Sequence, residues 1–572
     1  MKRAALLAEA RQKPEVTVLI VGGGINGLGL LRELALQGVD ALLIDKGDFC
    51  SGASAALSRM IHGGLRYLEN GEFRLVRESL KERNLLLLNA PHYVHPLPTT
   101  IPIYGWFSGI FSAGLRFLGF EQPPVNRGAL IVKIGLTLYD LFTSRQQVMP
   151  RHHFSSRAQS LAAHPPLNPR ILCTATYYDA WISYPERLGL ELALDAAAID
   201  PQARALNYVS LVGGEGDQVT LRDELSGDTW TIRPQVVINA GGAWIDAINR
   251  TLNRSTALIG GTKGSHLILD HPDLLAALGE EMLYFENADG RICILFALLG
   301  KVLAGSTDLK IDDPDAALCE EDEVTYILDS IRQVLPGLAI QRSDVVSYFC
   351  GVRPLPRMET ETTGQISRDH HCEVTEPGDD LHFPIYHLIG GKWTTFRAFA
   401  EQVTDRLLDR LGRQRVQSSQ GLAIGGGKAY PADDDALRRW LNALHAQSGL
   451  PEDRLKTLLE RYGTRAEVVA AYLVAASDAP LTQHPGYSRR EIAFMSEHER
   501  ICHLDDLVLR RTTLALQGEL TGALLDELAQ ITGAALGWSA AQTAAEIDRT
   551  RHILAERHGV HVPHSQEVSH HA

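Results

Sequence analysis

The sequence predicts an α/β protein with a Rossmann-like domain, an antiparallel-sheet domain and an all-α C-terminal domain. Three observations carry this prediction. Residues 16–27 pass from an apolar run into a glycine-rich turn, residues 213–307 contain short strand patterns separated by turns, and residues 433–558 follow a helical pattern rich in Ala, Leu, Arg and Glu. With 572 residues, the chain is long enough to bury a large core in two or three domains.

The glycine-rich turn has the features of a dinucleotide-binding site. The apolar segment Val16–Val21 predicts a buried parallel strand, and Gly22, Gly24 and Gly27 follow it in a G-x-G-x-x-G arrangement. The first glycine allows a tight turn, the second lets the backbone approach a pyrophosphate, and the third lets the next helix pack against the strand. A second strand ends at Asp45, 18 residues beyond Gly27, where a carboxylate accepts hydrogen bonds from a ribose.

The residues after Asp45 favour FAD over a nicotinamide cofactor. Residues 48–56 are mostly small, and small side chains allow backbone N–H groups to line an extended diphosphate. Ser51, Ser54 and Ser58 add hydroxyl groups along the same stretch. The sequence therefore predicts FAD as the cofactor.

Seven motifs resemble those of the FAD-dependent glycerol-3-phosphate dehydrogenase family, the quinone-linked bacterial and mitochondrial flavoenzymes. They are D-F-C-S-G-A-S, I-H-G-G-L-R-Y-L, K-G-S-H, G-S-T-D, G-V-R-P-L, S-R-D-H and G-G-K-W-T-T-F. The motifs occur in the family's order and the resemblance covers nearly the whole chain. It implies oxidation of sn-glycerol 3-phosphate to dihydroxyacetone phosphate by hydride transfer to FAD, with the electrons passed to a membrane quinone.

Oxidation of a phosphorylated alcohol by flavin requires a phosphate site and a base for the hydroxyl proton. The resemblance implies a phosphate clamp made by the cations of the matching motifs and one neutral donor: Arg66, Tyr67, Arg353, Arg368 and Lys392. His266 is the expected base and His62 is its competitor, since histidine has a pKa near neutral. Alternatively, His62 positions the flavin, and Arg353 helps to polarise the substrate oxygen.

The same resemblance assigns the contacts to FAD. Ala240 and Gly241 follow a predicted strand, and Gly391 opens a strand–turn–helix segment. The expected cofactor-binding residues are Gly22, Gly24, Gly27, Asp45, Ser51, Ser54, Ser58, His62, Gly63, Ala240, Gly241, Gly391, Lys392 and Thr394.

The chain is expected to form three domains, the first two of them discontinuous. They are an FAD-binding domain (14–100, 170–260 and 350–424), a substrate-binding or cap domain (101–169 and 261–349) and a helical C-terminal domain (430–562). The triplet at 425–427 lacks a strand–helix–strand context, so we interpret it as a linker and not as a second nucleotide site.

Composition excludes several classes of function. The net charge of −14 argues against a broad basic surface for nucleic acid, so an anionic substrate needs a local basic pocket. The seven cysteines form no CxxC pair, which indicates reduced thiols and neither a zinc ribbon nor a disulfide framework. The clusters at 152–153 and 370–372 lack the spacing of metal ligands, and we predict no metal site.

Residues 101–120 suggest contact with a membrane. Arg116 is their only charged residue, and they contain four of the fifteen phenylalanines together with Tyr104 and Trp106. Pro102 and four glycines favour an interfacial hairpin or a short amphipathic helix over a spanning helix. The alternative is a hydrophobic insertion packed on the protein or at a homodimer contact. Residues 1–15 carry no secretory signal, so the expected location is cytoplasmic, on the inner face of the cytoplasmic membrane.

Departures from the family's pattern leave other functions open. Residues 58–60, 239–244 and 296–298 differ from the family's usual Thr-Lys, Asn-Ala-Thr-Gly-Pro-Trp and Pro-Trp sequences. Erythritol 4-phosphate is therefore the second substrate candidate, and an oxygen-using glycerophosphate oxidase is the alternative for the electron acceptor. A non-catalytic flavin-binding protein is the alternative from a different class.

Overall fold

The computed structural model describes residues 3–68, 71–106, 128–143, 148–287, 289–357 and 368–564. Its first sheet is organised around Glu15–Val21, which pairs in parallel with Ala41–Asp45 and with Thr229–Asn239. The middle of this strand is fully buried, as its unbroken apolar sequence predicts. The remaining strands of this sheet are Ala203–Asn207, Val209–Glu215, Gln218–Asp223, His371–Thr375 and Ile385–Ile389.

Helices cover this sheet closely. Ile25–Leu36 begins directly after the glycine-rich turn and packs against Pro185–Ile199 and Phe396–Arg410. A Cβ at Gly29 would lie 2.6 Å from a ring carbon of Phe396, so the absence of a side chain at Gly29 brings two of these helices together. The first sheet and its helices thus have the Rossmann-like architecture that the sequence predicts.

The second sheet has ten strands and is mostly antiparallel. Its centre pairs Thr262–Leu269 with Lys301–Gly305 on one side and with Val345–Arg353 on the other. Glu321–Val334 packs on this sheet within a separate apolar core. The other strands are Met60–Ile61, Val94–Ile103, His153–Ser156, Cys173–Ile182, Met282–Glu286, Ile292–Leu298 and Leu309–Lys310.

Some strands lie in a different sheet from the one that the predicted boundaries imply. Val94–Ile103, Cys173–Ile182 and Val345–Arg353 fall wholly or partly within ranges predicted for the FAD-binding domain, yet all three belong to the second sheet. Val94–Ile103 pairs along its whole length with Cys173–Ile182, and such long-range pairing leaves no local sequence signal. Of the predicted membrane segment 101–120, only residues 101–106 lie within the described residues.

The C-terminal region is helical and has its own apolar core. The fold class predicted from the sequence is therefore confirmed. The α-helices of this region are Asp434–Ser448, Glu452–Tyr462, Ala466–Val474, Arg489–His498, Leu504–Asp506, Gly522–Leu536 and Ala540–His558. The further helices of the described chain are Arg3–Gln12, Phe73–Asn89, Ala129–Thr143, Arg157–Ala163, Ile245–Thr251 and Pro272–Leu278. Within the described ranges, none of the helices combines the length and apolarity needed to cross a bilayer.

The glycine triplet at 425–427 lies where the helical region meets the rest of the molecule. A Cβ at Gly426 would overlap the carbonyl oxygen of Tyr462, and one at Gly427 would overlap that of Asn89. The glycines therefore allow two backbone segments to approach the linker closely.

A buried ionic network joins the same two parts of the molecule. Asp48 Oδ2 accepts hydrogen bonds from Arg510 Nε (2.7 Å) and Arg511 Nη1 (2.8 Å), and Asp48 Oδ1 accepts one from Arg511 Nη2 (2.9 Å). Burial alone would raise the pKa of Asp48, but the two guanidinium charges outweigh burial and lower it to about 2. Asp48 follows Asp45 by three residues, so this network ties the helical region to the predicted ribose-binding segment.

Candidate active site

A cleft of about 1870 Å³ runs between the two sheets. This volume exceeds the roughly 300–1,000 Å³ of a pocket for one small ligand, and it suits a dinucleotide together with a substrate. Most of the predicted site residues line the cleft: Gly22, Gly24, Asp45, Ser51, Ser54, Ser58, His62, Tyr67, Ala240, Gly241, His266, Arg353, Arg368, Gly391, Lys392 and Thr394.

Three other predicted residues stand apart. Gly27 and Gly63 lie behind the wall of the cleft, and neither lines it. Arg66 belongs to the 3₁₀ turn Leu65–Leu68, but its side chain lies outside what the structure describes.

At one end of the cleft, the glycine-rich turn is too crowded for side chains. Gly22 has a φ of +117°, and a Cβ there would lie 2.5 Å from the carbonyl oxygen of Ala240. A Cβ at Gly27 would overlap the carbonyl oxygen of Gly22. The open backbone at the start of Ile25–Leu36 is thus maintained by glycine, and it matches the cradle that a pyrophosphate requires.

The side chain of Asp45 is hydrogen-bonded to the backbone of this glycine-rich turn. Its carboxylate accepts hydrogen bonds from Gly23 N (2.6 Å) and Gly47 N (2.8 Å). Burial raises the pKa of Asp45 to about 6, although the two N–H donors oppose the rise. Ser54 Oγ accepts from Ile25 N at 3.0 Å, which brings the small-residue segment against the first turn of the helix. These donors and acceptors fit the ribose and diphosphate of FAD.

The middle of the cleft is formed by two segments that meet. Gly390 and Gly391 have φ values of +70° and +95° and make a tight turn after the strand Ile385–Ile389. Thr394 Oγ1 then accepts a hydrogen bond from His62 N at 3.2 Å. This bond fixes the I-H-G-G segment beside the G-G-K-W-T-T segment, although the two are more than 300 residues apart in the sequence.

Cationic side chains gather at the other end of the cleft. Lys392 Nζ donates to the carbonyl oxygen of His62 (3.4 Å) and lies 4.8 Å from the ring centroid of Tyr67. Burial lowers the pKa of Lys392 to about 7; the Asp179 charge opposes this, and the Arg368 charge adds to it. Arg368 in turn is hydrogen-bonded to Tyr67. The cluster gives a globally acidic protein a local basic pocket, which an anion requires.

Arg353 forms an ion pair with Asp308, a residue that the sequence analysis did not single out. Its Nη1 lies 2.9 Å from Asp308 Oδ1, and its Nη2 donates to Ser306 Oγ (3.0 Å) and the Thr307 carbonyl oxygen (3.1 Å). A Cβ at Gly264 would overlap the guanidinium, so the glycine of K-G-S-H lets Arg353 lie across the strand. Asp308 belongs to the G-S-T-D motif, which is the sequence feature that could have identified it as the partner of Arg353.

His266 presents an unpartnered imidazole to the cleft. Its ring stacks on Phe349 with centroids 5.1 Å apart, and within the described residues neither ring nitrogen has a hydrogen-bond partner. Burial lowers the pKa of His266 to about 3, and the charges of Arg353 and Arg59 lower it further. His266 is therefore neutral near pH 7, with one ring nitrogen able to accept a proton or a hydrogen bond.

His62 is also kept neutral. Burial lowers its pKa well below the ordinary value, and the charge of Lys392 acts in the same direction. Its backbone bonds to Thr394 and Lys392 place it at the junction of the two central segments.

Comparison with known proteins gives a consistent result. Residues 17–406 match the family described as FAD dependent oxidoreductase, and residues 417–543 match the C-terminal domain of alpha-glycerophosphate oxidase. The predicted cofactor, FAD, is thereby confirmed.

Several curated relatives match over most of their length. The chain is 33% identical to a glycerol-3-phosphate dehydrogenase of Synechocystis, covering 95% of this chain and 97% of that one, and 30% identical to glycerol-3-phosphate dehydrogenase 2 of Mycobacterium tuberculosis, covering 93% and 86%. The solved glycerol-3-phosphate dehydrogenase of Bacillus halodurans, complexed with FAD, shares the fold with a TM-score of 0.74 at 21% identity, covering 97% of both chains. The chain therefore belongs to the FAD-dependent glycerol-3-phosphate dehydrogenase family.

Proposed function

We propose that the protein oxidises sn-glycerol 3-phosphate to dihydroxyacetone phosphate with FAD and passes the electrons to a membrane quinone. The observation that carries this proposal is the cluster of Tyr67, Arg368 and Lys392 in the same cleft as the unpartnered His266. A phosphate clamp beside a proton acceptor is what a phosphorylated alcohol needs, and the names of the relatives agree with this substrate.

The cations have complementary roles in substrate binding. Lys392 and Arg368 balance the charge of the phosphate, and Tyr67 adds a neutral hydrogen-bond donor. We assign Arg66 to the same clamp from its motif. Arg353, already fixed by Asp308, directs its guanidinium toward the reacting end and polarises the substrate oxygen.

His266 accepts the hydroxyl proton. Because its imidazole lacks a partner among the described residues, a ring nitrogen is available when the substrate enters. The negative charge of the bound phosphate opposes the charges of Arg353 and Arg59, and it raises the lowered pKa of His266 toward that of an effective base. Stacking on Phe349 fixes the orientation of the ring. FAD, when bound, supplies the acceptor for the carbinol hydrogen, and we assign its binding to the glycine-rich turn, Asp45, the serines at 51, 54 and 58 and the segments at 62–63, 240–241 and 391–394.

Anaerobic bleaching of the bound flavin tests this proposal. Glycerol 3-phosphate, erythritol 4-phosphate and unphosphorylated glycerol are compared at equal concentration. Fast bleaching by glycerol 3-phosphate alone supports both the clamp and the substrate, whereas faster bleaching by erythritol 4-phosphate reassigns the substrate. If no polyol phosphate bleaches an oxidised, bound flavin, the non-catalytic alternative replaces the proposal.

The quinone proposal is supported by an exposed apolar face. On the helix Ala129–Thr143, the side chains of Leu130, Ile134 and Leu141 are 45%, 55% and 63% exposed. Trp106, whose carbonyl oxygen accepts a hydrogen bond from Leu130 N on this helix, is 59% exposed. An apolar helix face with a neighbouring aromatic ring is typical of a membrane-surface contact, and it supports the proposed peripheral association with the cytoplasmic membrane.

Vesicle binding separates this proposal from a homodimer contact. Substitution of Ile134 and Leu141 by glutamate is expected to reduce both cosedimentation with anionic lipid vesicles and the rate with a long-chain quinone, but not flavin bleaching. If the same variant instead converts a dimer to a monomer in size-exclusion chromatography, the face is a subunit contact. Equal turnover with oxygen and quinone would favour the oxidase alternative.

A further inference from the structure

A closed hydrogen-bonded cluster lies behind the His62–Gly63 turn. Asp179 Oδ1 accepts hydrogen bonds from Tyr139 Oη (2.5 Å), Arg83 Nη1 (3.0 Å) and Gly63 N (3.1 Å), and Gly63 N also lies 3.0 Å from Tyr139 Oη. Asp179, Tyr139 and Arg83 are all buried. Nothing in the proposed chemistry has used these three side chains.

The direction of each bond in the cluster is determined. Burial and the neighbouring charge of Asp179 raise the pKa of Tyr139 well above its ordinary value, so the phenol keeps its proton and donates it to the carboxylate. The phenol oxygen can then accept from Gly63 N–H. A Cβ at Gly63 would overlap both Tyr139 Oη and Leu80 Cδ2, so only glycine fits against this cluster.

One peptide group links the cluster to the substrate end of the cleft. The N–H of the His62–Gly63 peptide points to Asp179 and Tyr139, while its carbonyl oxygen accepts from Lys392 Nζ at 3.4 Å. Hydrogen bonds at the two ends of a peptide group polarise each other in a buried environment. A negative charge at the N–H end therefore favours a positive charge at the carbonyl end.

The other charged groups around Lys392 act on its protonation more weakly than Asp179 does. Arg368 acts against the ammonium charge, whereas Asp179, Glu72 and Glu78 favour it. The His62 imidazole is neutral and the Tyr67 ring contributes its face. Among the carboxylates, Asp179 has the largest effect on Lys392.

We infer that Asp179 and Tyr139 are positioning residues: both hold the His62–Gly63 peptide, and Asp179 supports the positive charge of Lys392 through it. Arg83 fixes the carboxylate, since its guanidinium also donates to Asn84 Oδ1 (3.0 Å) and to the Tyr178 carbonyl oxygen (2.9 Å). The identity of the group that Lys392 binds depends on the proposed function, whereas the protonation of Lys392 does not.

The test measures the titration of Lys392 without substrate. The FAD-loaded protein is acetylated with trace acetic anhydride from pH 5.5 to 10, and mass spectrometry gives the extent of modification at Lys392. Asp179→Asn is expected to move the midpoint down by about one pH unit. Tyr139→Phe keeps the carboxylate charge and should leave the midpoint in place while slowing flavin bleaching. Asp140→Asn, on the same helix as Tyr139, is the matched control.

An Asp179→Asn midpoint equal to that of the wild type would overturn the inference. If Asp179→Asn does not retain FAD, Arg83→Gln replaces it, because loss of the cation beside Asp179 should move the midpoint up; no movement would again contradict the inference. Since labelling needs no substrate, failure of glycerol 3-phosphate to bleach the flavin would affect the proposed function alone.

Discussion

Burial favours the neutral forms of three titratable side chains at the substrate end of the cleft. It lowers the pKa of Lys392 to about 7 and that of His266 to about 3, and it keeps His62 neutral. A phosphate dianion would restore the proton of Lys392, because an opposite charge favours the ammonium form. This end of the cleft can therefore bind an anion through Lys392 while the neutral His266 accepts a hydrogen bond from the substrate hydroxyl.

The pH dependence of kcat/KM follows from Lys392. The ammonium is present below its pKa of about 7 and is lost as the pH rises through that value, so kcat/KM for flavin reduction should fall on the alkaline side. Lys392→Met is expected to remove this limb and to lower kcat/KM about 10- to 100-fold. The control Lys456→Met changes a lysine on the surface, and an unchanged limb in Lys392→Met would contradict the assignment.

Paired substitutions distinguish the two histidines. His266→Gln should lower kcat by about 10²- to 10⁴-fold and leave the flavin content unchanged, because a general base is lost. His62→Gln should mainly weaken FAD binding, measured by the fluorescence of released flavin. The opposite pattern would make His62 the base.

At the scale of elements, the sequence reasoning succeeded where the signal is local. The strand Glu15–Val21, its glycine turn and the helix Ile25–Leu36 follow from consecutive residues and agree with the structure. The pairing of Val94–Ile103 with Met282–Glu286 could not be predicted, because these strands are far apart in the chain and either sheet would accept their apolar pattern. For the same reason the Tyr139–Asp179 contact had no sequence signal.

The close packing of the glycine turn gives a prediction for FAD retention. Gly27→Ala should yield protein without bound flavin, because the added Cβ overlaps the carbonyl oxygen of Gly22 and displaces the turn. Gly213→Ala is the control, since a Cβ there meets no atom within 4 Å. The ratio of flavin absorbance to protein absorbance measures the difference, and equal ratios would show that the turn tolerates the change.

Over the whole molecule, the site depends on the helical C-terminal region as well as on the two sheets. Arg510 lines the cleft and also binds Asp48, which stands three residues after Asp45. Neither Asp48 nor Arg511 belongs to a recognisable charge pattern, and only the fold brings them together. The sequence therefore predicted the helical region but not its contact with the cofactor segment.

Breaking this contact should affect stability and flavin binding together. Arg511→Leu leaves the Asp48 carboxylate with one fewer cation in a buried site, a change that costs about 3–5 kcal/mol. Thermal unfolding and flavin release should both occur at lower temperature than in the wild type. Arg438→Leu breaks an exposed pair with Asp435 and should have almost no effect. Equal shifts in the two variants would show that the buried network contributes little.

The most direct test of the central claim is a single anaerobic turnover with glycerol 3-phosphate carrying deuterium at its carbinol carbon. We expect glycerol 3-phosphate to bleach the bound flavin completely and the deuterated substrate to bleach it more slowly, since the carbinol hydrogen leaves in this step. Lys392→Met should require far more substrate for the same rate. A bound, oxidised flavin that glycerol 3-phosphate does not bleach would contradict the account.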